Sequence, residues 1–283
     1  MRKPLFNKVA IVGVGLIGGS LGLAIKKRKI AKFVVGVVRR KETVREAFER
    51  RALDVATLSL AEGVRGADLV ILCAPVSTIV KQMKALGRAV SPSAIVIDVG
   101  SSKKQIDEAA KKFLKKGRFV GCHPMAGSEK RGVAYADANL FNGSTCFVTV
   151  PNKKIDALWK LLGSHPVHMG AAQHDDWVAQ ASHLPHILAF SLFCDLEVKK
   201  ARRSGIRELN PSIRGFARLA KSDPELWADI FLTNRQMLLK HLGRFEKTLT
   251  GWKRALQSKK AKKLERFISK ANINSNHLAL EKS

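Results

Sequence analysis

The chain is short of acidic residues. Its 283 residues hold 23 Asp and Glu against 51 Lys and Arg, a formal net charge of +28. Such a surface attracts polyanions, nucleic acid among them. Aromatic residues are also scarce, at 6% of the chain with a single Tyr. The basic residues are dispersed and are not interleaved with aromatic ones, which argues against a dedicated nucleic-acid module. No specific nucleic acid is therefore expected as a partner. The densest cluster, from Lys253 and Arg254 to Lys262, Lys263 and Arg266, has the spacing of the solvated face of a last helix. Only four cysteines occur, Cys73, Cys122, Cys146 and Cys194, with no CxxC pair and no Cys/His cluster at zinc spacing. That excludes a disulfide framework and a structural zinc, and free thiols fit a reducing cytoplasm.

Long apolar runs are nearly absent. The stretch Val9–Ile25 behind Met1-Arg2-Lys3 resembles a secretory signal only superficially. Its glycines (Gly13, Gly15, Gly18, Gly19 and Gly22) suit a phosphate-binding turn better, and no small-residue cleavage site precedes Lys26-Lys27-Arg28-Lys29. No other stretch is long enough to span a bilayer. No internal repeat, Pro-rich linker or low-complexity tract is present beyond the lysine-rich tail.

At 46% hydrophobic and 26% charged, the chain is that of a folded globular protein. Short β-branched runs alternate with helical patterns through the first half. Strands are expected at Lys8–Val12, Phe33–Val38, Leu69–Cys73, Ala94–Asp98, Phe119–Gly121 and Cys146–Val150. Helices are expected at Ser20–Lys29, Glu42–Arg51, Ile79–Val90 and Lys104–Leu114. Alternation of this kind predicts a parallel sheet with right-handed crossovers. Past about residue 170 only helical periodicity remains, in Val178–Glu197, Leu226–Leu249 and Leu264–Ala271. The expectation is an α/β dinucleotide-binding Rossmann domain over 1–170 and an all-α domain over 171–283.

Gly13-Val14-Gly15-Leu16-Ile17-Gly18 follows the first strand and opens a helix, the context the dinucleotide fingerprint requires. Gly13 permits the tight turn, Gly15 lets the backbone approach a pyrophosphate, and Gly18 lets helix and strand pack closely. Leu16 and Ile17 lie where the helix N-terminus would meet the phosphates. Pro75 closes the third strand beside them. An NAD-binding fold usually places a carboxylate about 20 residues past the glycines to grip the ribose 2′-hydroxyl. Here that position is Val38, followed by Arg39 and Arg40, which suit a 2′-phosphate. NADP is expected to be preferred over NAD.

Three further segments carry chemistry. Asp98-Val99-Gly100-Ser101-Ser102-Lys103 ends a sheet strand, where Ser101 is either a ligand donor or a helix cap. His123, in Gly121-Cys122-His123-Pro124, lies just past a strand and is either an acid/base or a structural histidine. Ser182-His183-Leu184-Pro185-His186 lies within an apolar helix starting near His174-Asp175, which Pro185 should kink. No carboxylate sits at zincin spacing, so no metal is expected. Arg214 and Arg218, one helical turn apart, either share an anion or belong to a solvated basic face.

In this order, GxGxxGGS, DxxSxK, HPMAGSEKxG, the HD…SHLPH helix and RxAKSDPxxW resemble the prephenate/arogenate dehydrogenase family, over about residues 8–250. The resemblance implies oxidative decarboxylation of prephenate or arogenate, a small dicarboxylate, in tyrosine biosynthesis. It also implies a Rossmann domain followed by a helical dimerisation domain, hence a homodimer. His123 matches the histidine that accepts a hydrogen bond from the substrate hydroxyl, and Ser101 the serine that orients it. Arg218 matches the arginine that binds a substrate carboxylate. His186, Ser182 and Ser222 match pocket residues, and Glu129, next to Ser128, matches a gating carboxylate at the pocket mouth. Arg131, near that mouth, would suit the pyruvyl carboxylate of prephenate. A different Rossmann dehydrogenase, of the β-hydroxyacid dehydrogenase or imine reductase type, would lack the HPMAG and SHLPH pair. A nucleotide-sensing or nucleic-acid-binding module would use the same scaffold without hydride transfer.

Overall fold

The structure is a computed structural model. It describes residues 3–115, 118–128, 130–197, 203 and 211–279. By compactness the chain divides into two units, Met1–Arg235 and Gln236–Ser283. The first unit holds an eight-stranded sheet in the order β3-β2-β1-β4-β5-β6-β7-β8. Its strands are β1 (Phe6–Val12), β2 (Ala31–Val37), β3 (Val55–Thr57), β4 (Leu69–Leu72), β5 (Ile95–Asp98), β6 (Phe119–Pro124), β7 (Thr145–Val148) and β8 (His165–His168). Between them run helices α1 (Leu16–Lys27), α2 (Lys41–Glu49), α3 (Leu60–Val64), α4 (Val76–Ala89), α5 (Lys104–Phe113) and α6 (Lys153–Leu161).

Strands β1 to β6 are parallel, as alternation predicted. The last two are not. β7 pairs antiparallel with β6, and β8 runs parallel to β7, so the sheet is mixed. The physical reason is the connection. Among its described residues the connection from β6 to β7 holds a loop and a 3₁₀ turn (Val133–Tyr135) and no crossover helix packed back on the sheet. β3 and β8 escaped the sequence reading, because Val55–Thr57 is short and His165–His168 is polar and largely exposed.

Side-chain alternation builds a core on each face of the sheet. On β1, Val9 and Ile11 enter one layer with Leu21, Ile25 and Trp159, while Ala10 and Val12 enter the other with Ile79, Met83 and Leu86. On β4, Leu69 and Ile71 divide from Val70 and Leu72 in the same way. Strands buried on both faces explain the continuous apolar runs.

After β8 the first unit is helical. Helix α7 (Ala171–Val178) passes into a π turn (Ala179–His183) and then α8 (Leu184–Asp195). The wide turn lies immediately before Leu184-Pro185. It is where a helix yields to a proline that lacks an N–H and crowds the carbonyl four residues back. The helices Pro211–Ala220 and Pro224–Thr233 follow. The latter docks on the sheet domain: Asp229 accepts from the Ser77 N–H at 3.3 Å, Ser102 Oγ donates to Thr233 Oγ1 at 3.0 Å, and Gln105 Nε2 donates to Thr233 O at 3.0 Å. The second unit carries the helices Arg235–Gln257 and Ala261–Ala279, apart from Arg235 itself. Among the described residues no helix is long and apolar enough to cross a membrane.

Candidate active site

The carboxyl ends of β5 and β6 lie side by side, with Asp98 opposite Gly121 in register. Ligands of open α/β sheets bind at this end of the strands. His123, half-buried, is the penultimate residue of β6, within the strand rather than just past it. Its Nδ1 lies 2.9 Å from His174 Nε2, and His174 Nδ1 lies 2.9 Å from Asp175 Oδ1. Asp175 in turn caps α5: Oδ1 accepts from the Lys103 N–H at 2.7 Å and Oδ2 from the Lys104 N–H at 2.9 Å. A continuous chain of hydrogen bonds thus joins β6, α7 and the start of α5.

Burial holds His123 well below the ordinary imidazole value, with His174, Lys103 and His183 adding to the effect. His174 is lowered as well, chiefly by burial and against the pull of Asp175. Both rings are therefore neutral at pH 7. A neutral imidazole can accept a proton, which an imidazolium cannot.

Beneath His123 lies a buried ion pair, Lys103 with Asp98. Lys103 Nζ also donates to Cys122 O at 2.6 Å. Asp98 accepts from the Gly100 N–H at 2.7 Å and from the Cys122 N–H at 3.3 Å. Burial pushes the Asp98 carboxyl up, while Lys103 and these two backbone donors pull it back. The pair ties the turn after β5 to the residue preceding His123. Ser101 stands half-buried in that turn, and the partner of His123 Nδ1 is His174 rather than Ser101.

α8 and its neighbours supply a second group. His186 stacks on Trp227, with ring centroids 3.4 Å apart, and its Nδ1 donates to Ser182 O at 2.9 Å. Burial, opposed by that hydrogen bond and reinforced by Arg218, lowers His186. Arg218, itself exposed, therefore lies within electrostatic reach of this ring. His183 is buried and pushed down to about 4, mainly by desolvation. Asn234 Nδ2 sits between, donating to Asp175 O at 2.7 Å and lying 3.3 Å from His183 Nδ1. Ser182 and Ser222 are half-buried, and Ser128 is exposed. Glu129 lies outside the described residues. Arg131 forms an ion pair with Asp223, the residue that caps the Pro224–Thr233 helix, so its charge already has a partner.

The glycine turn fits a dinucleotide. It sits where strand order reverses, between β1 and β4. Gly13 has φ +95°, and a Cβ there would meet Cys73 O at 2.6 Å. At Gly18 a Cβ would lie 2.0 Å from Gly13 O, whereas at Gly15 it would meet open space, the room a pyrophosphate needs. α1 begins after Gly15 without a side-chain cap, leaving its first-turn N–H groups for an anion. Leu16 and Ile17 form that first turn, and Pro75 is the exposed residue before α4. Arg39 and Arg40 are exposed just past β2, while Val38 is buried. Replacing Gly13 with Ala should weaken nicotinamide dinucleotide binding by about 10-fold or more, since strain of ~1–3 kcal/mol falls on the loop itself. Fluorescence titration with NADPH measures this, and unchanged affinity would contradict the fit.

Comparison with known proteins decides the family. Residues 21–168 match the model of the prephenate dehydrogenase nucleotide-binding domain, and residues 170–270 that of the prephenate dehydrogenase dimerization domain. The chain belongs to the prephenate dehydrogenase family. Within that family it is 33% identical to a cyclohexadienyl dehydrogenase of Zymomonas mobilis, over 90% of each chain. It is 30% identical to a prephenate dehydrogenase of Lactococcus lactis, over 93% of this chain and 75% of that one. A solved prephenate dehydrogenase from A. aeolicus, in complex with hydroxyphenyl propionate and NAD+, superposes with a TM-score of 0.83 at 30% identity. That match covers 96% of this chain and 98% of the other. Arogenate dehydrogenase from Synechocystis gives 0.79 at 28% identity, covering 96% and 99%.

The sequence reading picked out His123 as a candidate acid/base but missed the groups the structure places around it. His174 and Asp175 were legible only as the HD that opens the SHLPH helix. Lys103 and Asp98 were legible only as ends of DxxSxK. The available signal was charge: an Asp and a Lys five residues apart at the carboxyl end of an apolar strand need each other if both are buried.

Proposed function

We propose that this chain oxidatively decarboxylates a cyclohexadienol dicarboxylate, prephenate or its amino analogue arogenate, in tyrosine biosynthesis, with NADP preferred over NAD. The observation that carries the reading is His123. It is an imidazole held below the ordinary value at the carboxyl end of β6, with β5 between it and β4 beside the glycine turn. The nicotinamide, when bound, supplies the hydride acceptor. His123 takes up the proton of the ring hydroxyl as carbonyl character develops, and returns it to the oxygen once carbon dioxide has left and the ring is aromatic. Arg218 holds a substrate carboxylate and fixes the ring's orientation. Ser101, Ser182, His186 and Ser222 line the substrate cavity, with Ser128 and Glu129 at its mouth.

The protein acts as a cytoplasmic homodimer joined through its helical half, and the partition between the cofactor and substrate parts falls near Gly170. The end of β8 at His168 supports that boundary, as does the dimerization-domain match beginning at residue 170. Initial rates with prephenate and arogenate, each with NAD and NADP, test the reading. Reduction of NADP by either substrate supports it, and failure of all four combinations rejects it.

Two variants separate the binding roles. Arg218→Ala should raise KM for the substrate about 10- to 100-fold, as expected for loss of a charge-assisted hydrogen bond, with kcat changed much less. An equal loss in kcat would move Arg218 from binding into the chemical step. The double variant Arg39→Ala, Arg40→Ala should raise KM for NADP about 10-fold or more through loss of the phosphate partners. KM for NAD should stay nearly constant. If both cofactors weaken together, the arginines do not read the 2′-phosphate.

A further inference from the structure

We propose that Asp175 and His174 are positioning residues that lock His123 in one tautomer, with Nδ1 protonated and Nε2 bare toward the cleft. The inference rests on the catalytic reading of His123 and deepens it.

The argument runs outward from the carboxylate. Asp175 is buried, and its oxygens already accept two backbone N–H bonds, from Lys103 and Lys104. An ionised carboxylate only accepts, so the bond between Asp175 Oδ1 and His174 Nδ1 requires the proton on Nδ1 of His174. His174 is neutral, so its Nε2 then carries only a lone pair. Nε2 must therefore accept from His123 Nδ1, 2.9 Å away, and His123 must carry its proton there. One proton then remains on each ring, and His123 Nε2 keeps the lone pair that the catalytic reading assigns to the substrate hydroxyl. A single carboxylate, anchored by the helix it caps, thus sets the protonation pattern of two rings and reaches the atom that meets the substrate.

The same chain spreads the charge formed during reaction. When His123 Nε2 gains the hydroxyl proton, the ring becomes an imidazolium whose Nδ1–H points at the His174 lone pair. The Nδ1–H of His174 points in turn at the Asp175 carboxylate. A shift of each proton along its own bond moves positive charge toward the anion without any proton leaving the chain. Return of the hydroxyl proton to the oxygen restores the starting state. Packing holds the rings in place: His174 meets the edge of Phe147 at 5.4 Å and His123 at 5.1 Å, both near-perpendicular. The other charged or titratable groups facing these two rings are Lys103, Asp98 and His183.

The test reads tautomers directly and needs no turnover. The full-length protein is labelled with ¹⁵N-histidine, and long-range proton–nitrogen correlations are recorded across the neutral range. Spectra of His123→Asn and His174→Phe assign the two rings. Both rings should show protonated Nδ1 and bare Nε2. His174→Phe keeps an aromatic ring against Phe147 and leaves the Asp175 cap in place. It should release His123 into a tautomer mixture and lower kcat by up to about 10⁴-fold with KM nearly constant, the loss seen where a tautomer-fixing carboxylate is replaced elsewhere. Asp175→Asn should do the same, and His174→Phe remains decisive if that variant fails to fold. A wild-type His123 protonated on Nε2, or a His174→Phe variant with unchanged His123 tautomer and kcat, overturns the proposal. Failure of the wild type to oxidise either substrate would leave the tautomer result standing and reject only the assigned reaction.

Discussion

His123→Asn should lower kcat by about 10²–10⁴-fold, the range for loss of a positioned general base, while KM for the substrate changes little. Asn fills much of the ring's volume and can still hydrogen-bond, but it cannot hold a proton at neutral pH. The pH profile adds an independent check. Burial and three nearby cationic or titratable groups lower the His123 value, so its base form persists below the ordinary imidazole range. The acid limb of kcat/KM for the wild type should therefore fall below about pH 6.5, the unperturbed histidine value, and it should vanish in His123→Asn. An acid limb above that value, or a rise in KM matching the loss in kcat, would remove His123 from the chemical step.

How much of this was legible in the sequence follows from the range of each interaction. The β1–turn–α1 unit is local: an apolar run, three glycines at fixed offsets and a helical pattern lie within 22 residues, from Phe6 to Lys27. It could be read without any tertiary information. His123 was legible because Pro124 and the neighbouring glycines mark the end of a strand. Its environment was not, because His174 lies 51 residues away and Asp175 reaches Lys103 across 72. Sequence spacing carries no signal for such contacts. The reversal at β7 and β8 was missed for a similar reason: nothing in Thr145–Val148 distinguishes a parallel partner from an antiparallel one. The π turn was half-legible. Pro185 announced a disturbance, but whether a helix kinks or widens depends on how its neighbours satisfy the freed carbonyls.

Lys103→Met should cost about 3–5 kcal/mol of stability, the usual penalty for breaking a buried ion pair by removing one partner. Both side chains of the pair are essentially without solvent contact, at 1% and 0% exposure, so water cannot replace the lost ammonium. The deficit should depend on pH in a definite direction. Without Lys103, desolvation acts on Asp98 with only two backbone donors to oppose it, so its folded-state pKa rises further above the unfolded value. A carboxyl with a raised folded pKa binds more protons in the folded state, so stability falls as pH climbs past the unfolded value of about 3.9. The variant should thus come closest to the wild type in acid and fall furthest behind near neutrality, as thermal or urea unfolding at several pH values would show. Adding Asp98→Asn should recover part of the loss at neutral pH, because the amide needs no counter-charge, although the bond from Lys103 to Cys122 O stays missing. Recovery of stability without recovery of kcat would assign the pair a second task, holding the end of β6 where His123 can reach the substrate. A Lys103→Met protein as stable as the wild type at neutral pH would show that Asp98 is held by its backbone donors alone.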